Sequence, residues 1–136
     1  MRQALTQLVA AAVMVTGTAA ALGKDDPLAA YAGKYPFDAV GGVSFLAQPV
    51  VVAGVRKAVT DKTVLGWVLN TDVTAGPIVI VGGKIEAWAC EPHNCGDHQW
   101  TIVIDLASGA TDVCYHDGAE MKEDQSRWYL ASGKNE

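Results

Sequence analysis

The sequence predicts an α+β fold: an antiparallel β-sheet meander of four to five strands, helices packed on one face, and a disulfide-closed protruding loop. Three observations carry this prediction. Apolar residues in 48–59 recur at helical spacing. From Gly76 onward the period becomes two, the spacing of strands that bury one face. Between two of those strands lies "ACEPHNCGDHQW", residues 89–100, in which Cys90 and Cys95 enclose Glu91, Pro92, His93 and Asn94.

Taken in order, the chain opens with a thin positive start, Met1-Arg2, then the apolar run "LVAAAVMV" and small residues with Ala19 and Ala21 in an A-x-A arrangement. This pattern predicts a secretory signal peptide over residues 1–21. The apolar run is short for a membrane span, which needs about 20 residues. Residues 22–35 are small and polar and predict a loose lead-in; "KYPFDAVGGVSFL", with a Pro and a Gly pair, continues it as an irregular segment, so 22–44 is expected to be irregular. Phe45 and Leu46 supply a short apolar anchor, and the main domain is expected over 45–136.

"QPVVVAGVRKAV" predicts a helix. Pro49 suits a first helical turn, and Val51, Val52, Val55 and Val59 share one side. "KTVLGWVLN" predicts a short helix around Trp67. "PIVIV" reads as a strand of the buried type. Gly82-Gly83 is a two-residue hairpin turn. In "KIEAWAC", Ile85, Ala87 and Ala89 face one way and Glu86 and Trp88 the other. "QWTIVIDL" sets Trp100, Ile102, Ile104 and Leu106 on one face. Ser108-Gly109 turns the chain. "ATDVCYH" sets Val113 and Tyr115 opposite Cys114 and a surface-leaning His116. "SRWYLA" is the last strand.

Charge narrows the partners. The chain has 10 Lys+Arg against 15 Asp+Glu, a net charge of −5; without Arg2 the balance is 9 against 15, near −6. An acidic domain without a basic stripe argues against nucleic acid and against anionic membranes. Opposite net charge favours encounter with a cationic partner.

Export changes how the cysteines read, because neighbouring thiols outside the cytosol oxidise. Cys90 and Cys95 are the expected disulfide, and Cys114 is the odd cysteine. Cys90, His93, Cys95 and His98 also form C-x2-H-x-C-x2-H, with ligand types that zinc accepts. The spacing is not a common zinc pattern, and single-residue separation makes a tetrahedron hard to wrap, so no metal and no cofactor are expected. C-x4-C lacks the C-x-x-C redox spacing. There is no Ser elbow, phosphate loop or HExxH, and Cys114 near His116 lacks a third member, so an enzyme is not expected. The loop joins two antiparallel strands and projects from one end of the sheet. Pro92 restricts Glu91 to extended conformations, and such a loop presents His93 at low entropic cost. Trp88 adjoins the loop and is a candidate interface anchor; Asp97 and His98 are further interface candidates.

At "ACEPHNC" the sequence resembles the Ivy family, periplasmic inhibitors of vertebrate (C-type) lysozyme, whose loop has the form C-K-P-H-D-C between antiparallel strands. Cys90, Pro92, His93 and Cys95 match that form; Glu91 stands in place of Lys and Asn94 in place of Asp. The likeness runs from about Phe45 to Leu130. It implies an inhibitor whose loop enters the lysozyme cleft, with His93 meeting the catalytic carboxylates and Glu91, Pro92 and Asn94 around it. It also implies, as a second partner, a lytic transglycosylase of the cell itself, and a periplasmic location.

Overall fold

The computed structural model describes residues 26–136. The expected signal peptide, 1–21, lies outside the described residues. The sheet is built from β3 (Thr74–Ala75), β4 (Val79–Val81), β5 (Lys84–Cys90), β6 (His98–Asp105), β7 (Thr111–Asp117) and β8 (Arg127–Tyr129), in the order β3-β5-β6-β7-β8 with β4 also beside β5. Every pairing is antiparallel. From β4 to β8 the chain is a meander of consecutive neighbours, as the period-two pattern predicts. The strand count is six because the edge is broken in two. β3 pairs with one end of β5 (Thr74↔Cys90) and β4 with the other (Val81↔Lys84). Gly76, between them, still donates its N–H to the Trp88 carbonyl at 3.3 Å. A small separate hairpin, β1 (Ala39–Val40) with β2 (Val43–Ser44), precedes the helices.

One face of the sheet carries the core. Ile85, Ala87 and Ala89 of β5, Trp100, Ile102 and Ile104 of β6, and Val113 and Tyr115 of β7 are buried in one cluster. Covering them are α1 (Pro49–Ala58), with Val51, Val55 and Ala58, and α2 (Lys62–Val68), with Val64 and Val68. Each of these valine and isoleucine side chains contributes about 1.5–3 kcal/mol on burial. Pro49 occupies the first turn of α1, where its missing N–H has no intrahelical partner to lose. Asp61 caps α2, its Oδ1 accepting from the N–H groups of Thr63 (2.8 Å) and Val64 (3.1 Å). Gly82 and Gly83 both have positive φ, 57° and 76°. A type I′ hairpin turn needs that at both central positions.

Three expectations are corrected. The lead-in is not loose over its described part. A 3₁₀ turn, Pro27–Tyr31, sends Leu28 and Tyr31 into the core. The Tyr31 hydroxyl donates to the Val43 carbonyl at 2.6 Å and accepts from Gln48 Nε2. "PIVIV" is not a buried strand: Ile78 is buried, but Val79, Ile80 and Val81 are 46%, 40% and 59% exposed. They form an edge, and an apolar run alone does not separate an edge from a central strand. His116 does not lean to the surface. It is buried, and its Nδ1 donates to the Gln125 carbonyl at 2.6 Å, because the 118–126 segment folds back along β7.

α1 lies close on β7 at one glycine. A Cβ on Gly54 would come 2.8 Å from Thr111 Cβ and even nearer its Oγ1. Helix propensity alone favours Ala over Gly by about 1 kcal/mol. Gly54→Ala is expected to reverse that sign and destabilise the domain by about 1–3 kcal/mol, read from urea unfolding. A stabilised variant would show that α1 can lift from β7 at no cost.

Candidate functional site

The neck of the 90–98 segment is fixed three ways. Cys90↔Gln99 is the last register pair of the β5–β6 ladder. Beyond it the Glu91 N–H donates to the His98 carbonyl at 3.1 Å. The expected disulfide is present, Cys90–Cys95, with Cα atoms 4.9 Å apart.

Inside that neck the chain makes a tight turn. The Asn94 N–H donates to the Glu91 carbonyl at 3.0 Å, closing Glu91-Pro92-His93-Asn94. Pro92 cannot take positive φ, whereas His93 has φ +64°. Negative φ at the second position and positive φ at the third define a type II turn. The third position normally calls for Gly or Asn. A histidine there costs roughly 1–2 kcal/mol of backbone strain, and strain of this kind collects at functional sites. His93 is the sole non-glycine residue with positive φ among the described residues. Pro92 and His93 are both exposed, and the His93 ring makes no hydrogen bond within the described residues. Turn geometry thus lifts one imidazole to the apex and leaves its nitrogens free.

The flanks of the turn are bound to the domain. Glu91 Oε2 accepts from Asn94 Nδ2 at 2.8 Å and from His98 Nδ1 at 3.0 Å. Those two hydrogen bonds, Asn94 first, hold the Glu91 carboxyl below the usual glutamate range. Glu91 and Asn94 are the two positions at which the loop departs from the C-K-P-H-D-C form, and they are bonded to each other. The Asn94 carbonyl accepts from the N–H groups of Asp97 (3.1 Å) and His98 (2.9 Å), and the Gly118 N–H donates to the Asp97 carbonyl at 2.6 Å. The exit of the loop is therefore tied to the end of β7.

His98 was an interface candidate, and the structure corrects this. It is 5% exposed. Its Nε2 meets the Tyr115 hydroxyl at 2.8 Å, and its ring packs edge-on to Trp67, Trp100 and Tyr115, with centroids 4.8, 5.4 and 5.5 Å away. The physical reason is parity: His98 shares the inward face of β6 with Trp100, Ile102 and Ile104. Trp88 is half-buried on the sheet face away from the helices, with its Nε1 donating to Gln99 Oε1 at 2.8 Å. Asp97 is exposed at the loop exit. Tyr115 and Trp67, which complete the His98 environment, were not singled out by sequence reasoning. The four residues of C-x2-H-x-C-x2-H do not converge: the sulfurs are bonded to each other, His93 points outward and His98 is held inside.

This geometry defines a class, a small α+β domain that offers a covalently closed turn with a single free imidazole at its apex. A family model described as inhibitor of vertebrate lysozyme (Ivy) matches residues 50–128, more than half of the sequence, and the chain belongs to that family. No curated protein and no solved structure matches it significantly. The family is one of inhibitors, not enzymes, and membership implies a lysozyme-inhibiting role.

The Glu91 hydrogen bonds set a pH dependence. Its folded-state pKa lies below the unfolded one, so its contribution is complete above the ordinary glutamate value of about 4.3 and is lost as pH falls through the lower, folded value. The stability advantage of the wild type over Glu91→Gln, measured by urea unfolding, is expected to persist near neutrality and shrink as pH drops below about 4. An advantage that stays constant across that range would show that the carboxylate is not held as described.

Proposed function

We propose that the protein is an exported inhibitor of peptidoglycan-cleaving glycosidases, with C-type lysozyme as its default target, and that the 90–95 loop enters the active-site cleft. The observation that carries this reading is His93: exposed, unbonded, and fixed at the apex of a closed turn. A retaining glycosidase holds two carboxyl groups about 5–5.5 Å apart. One imidazole can reach both, and hydrogen bonds to charged carboxylates are among the strong ones. Rigidity adds affinity, because a turn already ordered by a disulfide and a proline loses little entropy on binding. The net charge of −5 suits a cationic enzyme by steering encounter. On this reading the protein acts in the periplasm after residues 1–21 are removed. A lytic transglycosylase, with a single catalytic acid, is the second partner that the same imidazole could engage.

The test is cell-wall clearing by lysozyme in the presence of the mature protein. Wild type is expected to suppress clearing, and His93→Ala to lose about 100-fold or more in potency, the scale for removing one partner of a buried charged contact. Clearing that continues at large excess of wild type rejects the inhibitor reading. Equal potency of wild type and His93→Ala rejects the loop mechanism. His93→Gly provides the folding control. Glycine adopts positive φ without a Cβ penalty, so this variant is expected to lose inhibition while its melting temperature stays level or rises.

A further inference from the structure

We infer that Tyr115, His98 and Glu91 act as positioning residues for His93, a relay from the core that turns the Glu91 carboxylate inward and braces the turn from behind. The inference rests on the reading of His93 as the contact residue. Its observations are independent of that reading. Oε2 of Glu91 receives two donors at 2.8 and 3.0 Å. The second donor, His98, is buried and is held at its far nitrogen by a hydroxyl that belongs to β7. Burial pushes the Tyr115 pKa far up, so the hydroxyl stays protonated, and with His98 Nδ1 directed at Glu91 it is Nε2 that meets this hydroxyl. The chain of contacts therefore runs from the middle of the sheet to the residue that begins the turn.

Two consequences follow. The first is mechanical. Pro92 and His93 make no side-chain hydrogen bond within the described residues, so the direction of the apex is set by its two ends. Glu91 and Asn94 are those ends, and one carboxylate oxygen links them to each other and to His98. The second is electrostatic. A free carboxylate beside His93 would repel an acidic cleft. Two donors draw the Glu91 carboxylate toward His98, where it keeps its charge on the flank of the turn, and leave His93 as the ionisable group at the apex. The same acidic residue thus braces the loop from its flank and not from its apex.

The experiment compares wild type, Tyr115→Phe and Glu91→Ala, each alone and combined with His93→Ala. Amide hydrogen exchange at Asn94 and His98 reports the brace, and lysozyme inhibition reports its use. Tyr115→Phe keeps the ring and removes the hydroxyl. It is expected to speed exchange at both amides and weaken inhibition, each by about three- to tenfold, the range for one hydrogen bond. Glu91→Ala, at a position only partly buried, guards against a Tyr115 variant that fails to fold; it is expected to act in the same direction and to abolish the protected His98 Nδ1–H proton signal in NMR. Neither change is expected to weaken inhibition further in the His93→Ala background. Wild-type exchange in both variants overturns the brace. Faster exchange with undiminished inhibition overturns the positioning role. Faster exchange in a protein whose wild type inhibits no lysozyme supports the brace and instead removes the proposed target.

Discussion

The β5–β6 ladder sets the direction of everything at the functional end of the molecule. Seven register pairs run from Lys84↔Asp105 to Cys90↔Gln99, and the next link, Glu91 N–H to the His98 carbonyl, lies already within the loop. A loop entered and left by paired strands has little freedom in where it points. The disulfide adds only about 2 kcal/mol by chain entropy for so short a ring. Its larger effect is to hold the neck together at the place where the ladder ends.

Within that neck, strain and support are balanced. A non-glycine residue at positive φ persists only where the surroundings over-determine it. Here they do: Pro92 sets the preceding φ, the Asn94 N–H closes the turn, and Glu91 joins Asn94 to His98. The aromatic residues around His98 come from three separate elements, Trp67 from α2, Trp100 from β6 and Tyr115 from β7. The helical layer is thus part of the loop's foundation as well as the cover of the core. The close approach of α1 to β7 at Gly54 and Thr111 fixes the helical layer at the other end of β7, away from the loop.

Charge is arranged to match. On the proposed reading, an acidic protein that meets an acidic cleft faces a conflict between long-range attraction to a cationic enzyme and short-range repulsion at the contact. Net charge acts over the Debye length of roughly 8–10 Å, whereas the contact is decided by the few groups at the apex. The bonds from Asn94 and His98 keep the Glu91 carboxylate on the flank of the turn, so the apex itself carries the imidazole.

Much of this was readable from the chain itself. Parity assigned the faces of β5, β6 and β7, the valine spacing assigned α1, and Gly82-Gly83 assigned the hairpin. Cys90, Pro92, His93 and Cys95 marked the loop and its apex. The inward place of His98 was also legible: it has the parity of Trp100 and Ile102, and it is lost only if β6 is started one residue late. Other features depended on contacts between distant segments. That Tyr115 meets His98 follows from the β6–β7 register, in which Trp100 faces Tyr115. That Glu91 is bonded back to the domain follows from a buried histidine seven residues away. That Tyr31 reaches the core, and that Val79–Val81 form an exposed edge, depends on which elements cover the sheet. Local periodicity reports which way a side chain faces along its own strand or helix; what it then meets is set by packing, and only the folded chain contains that information.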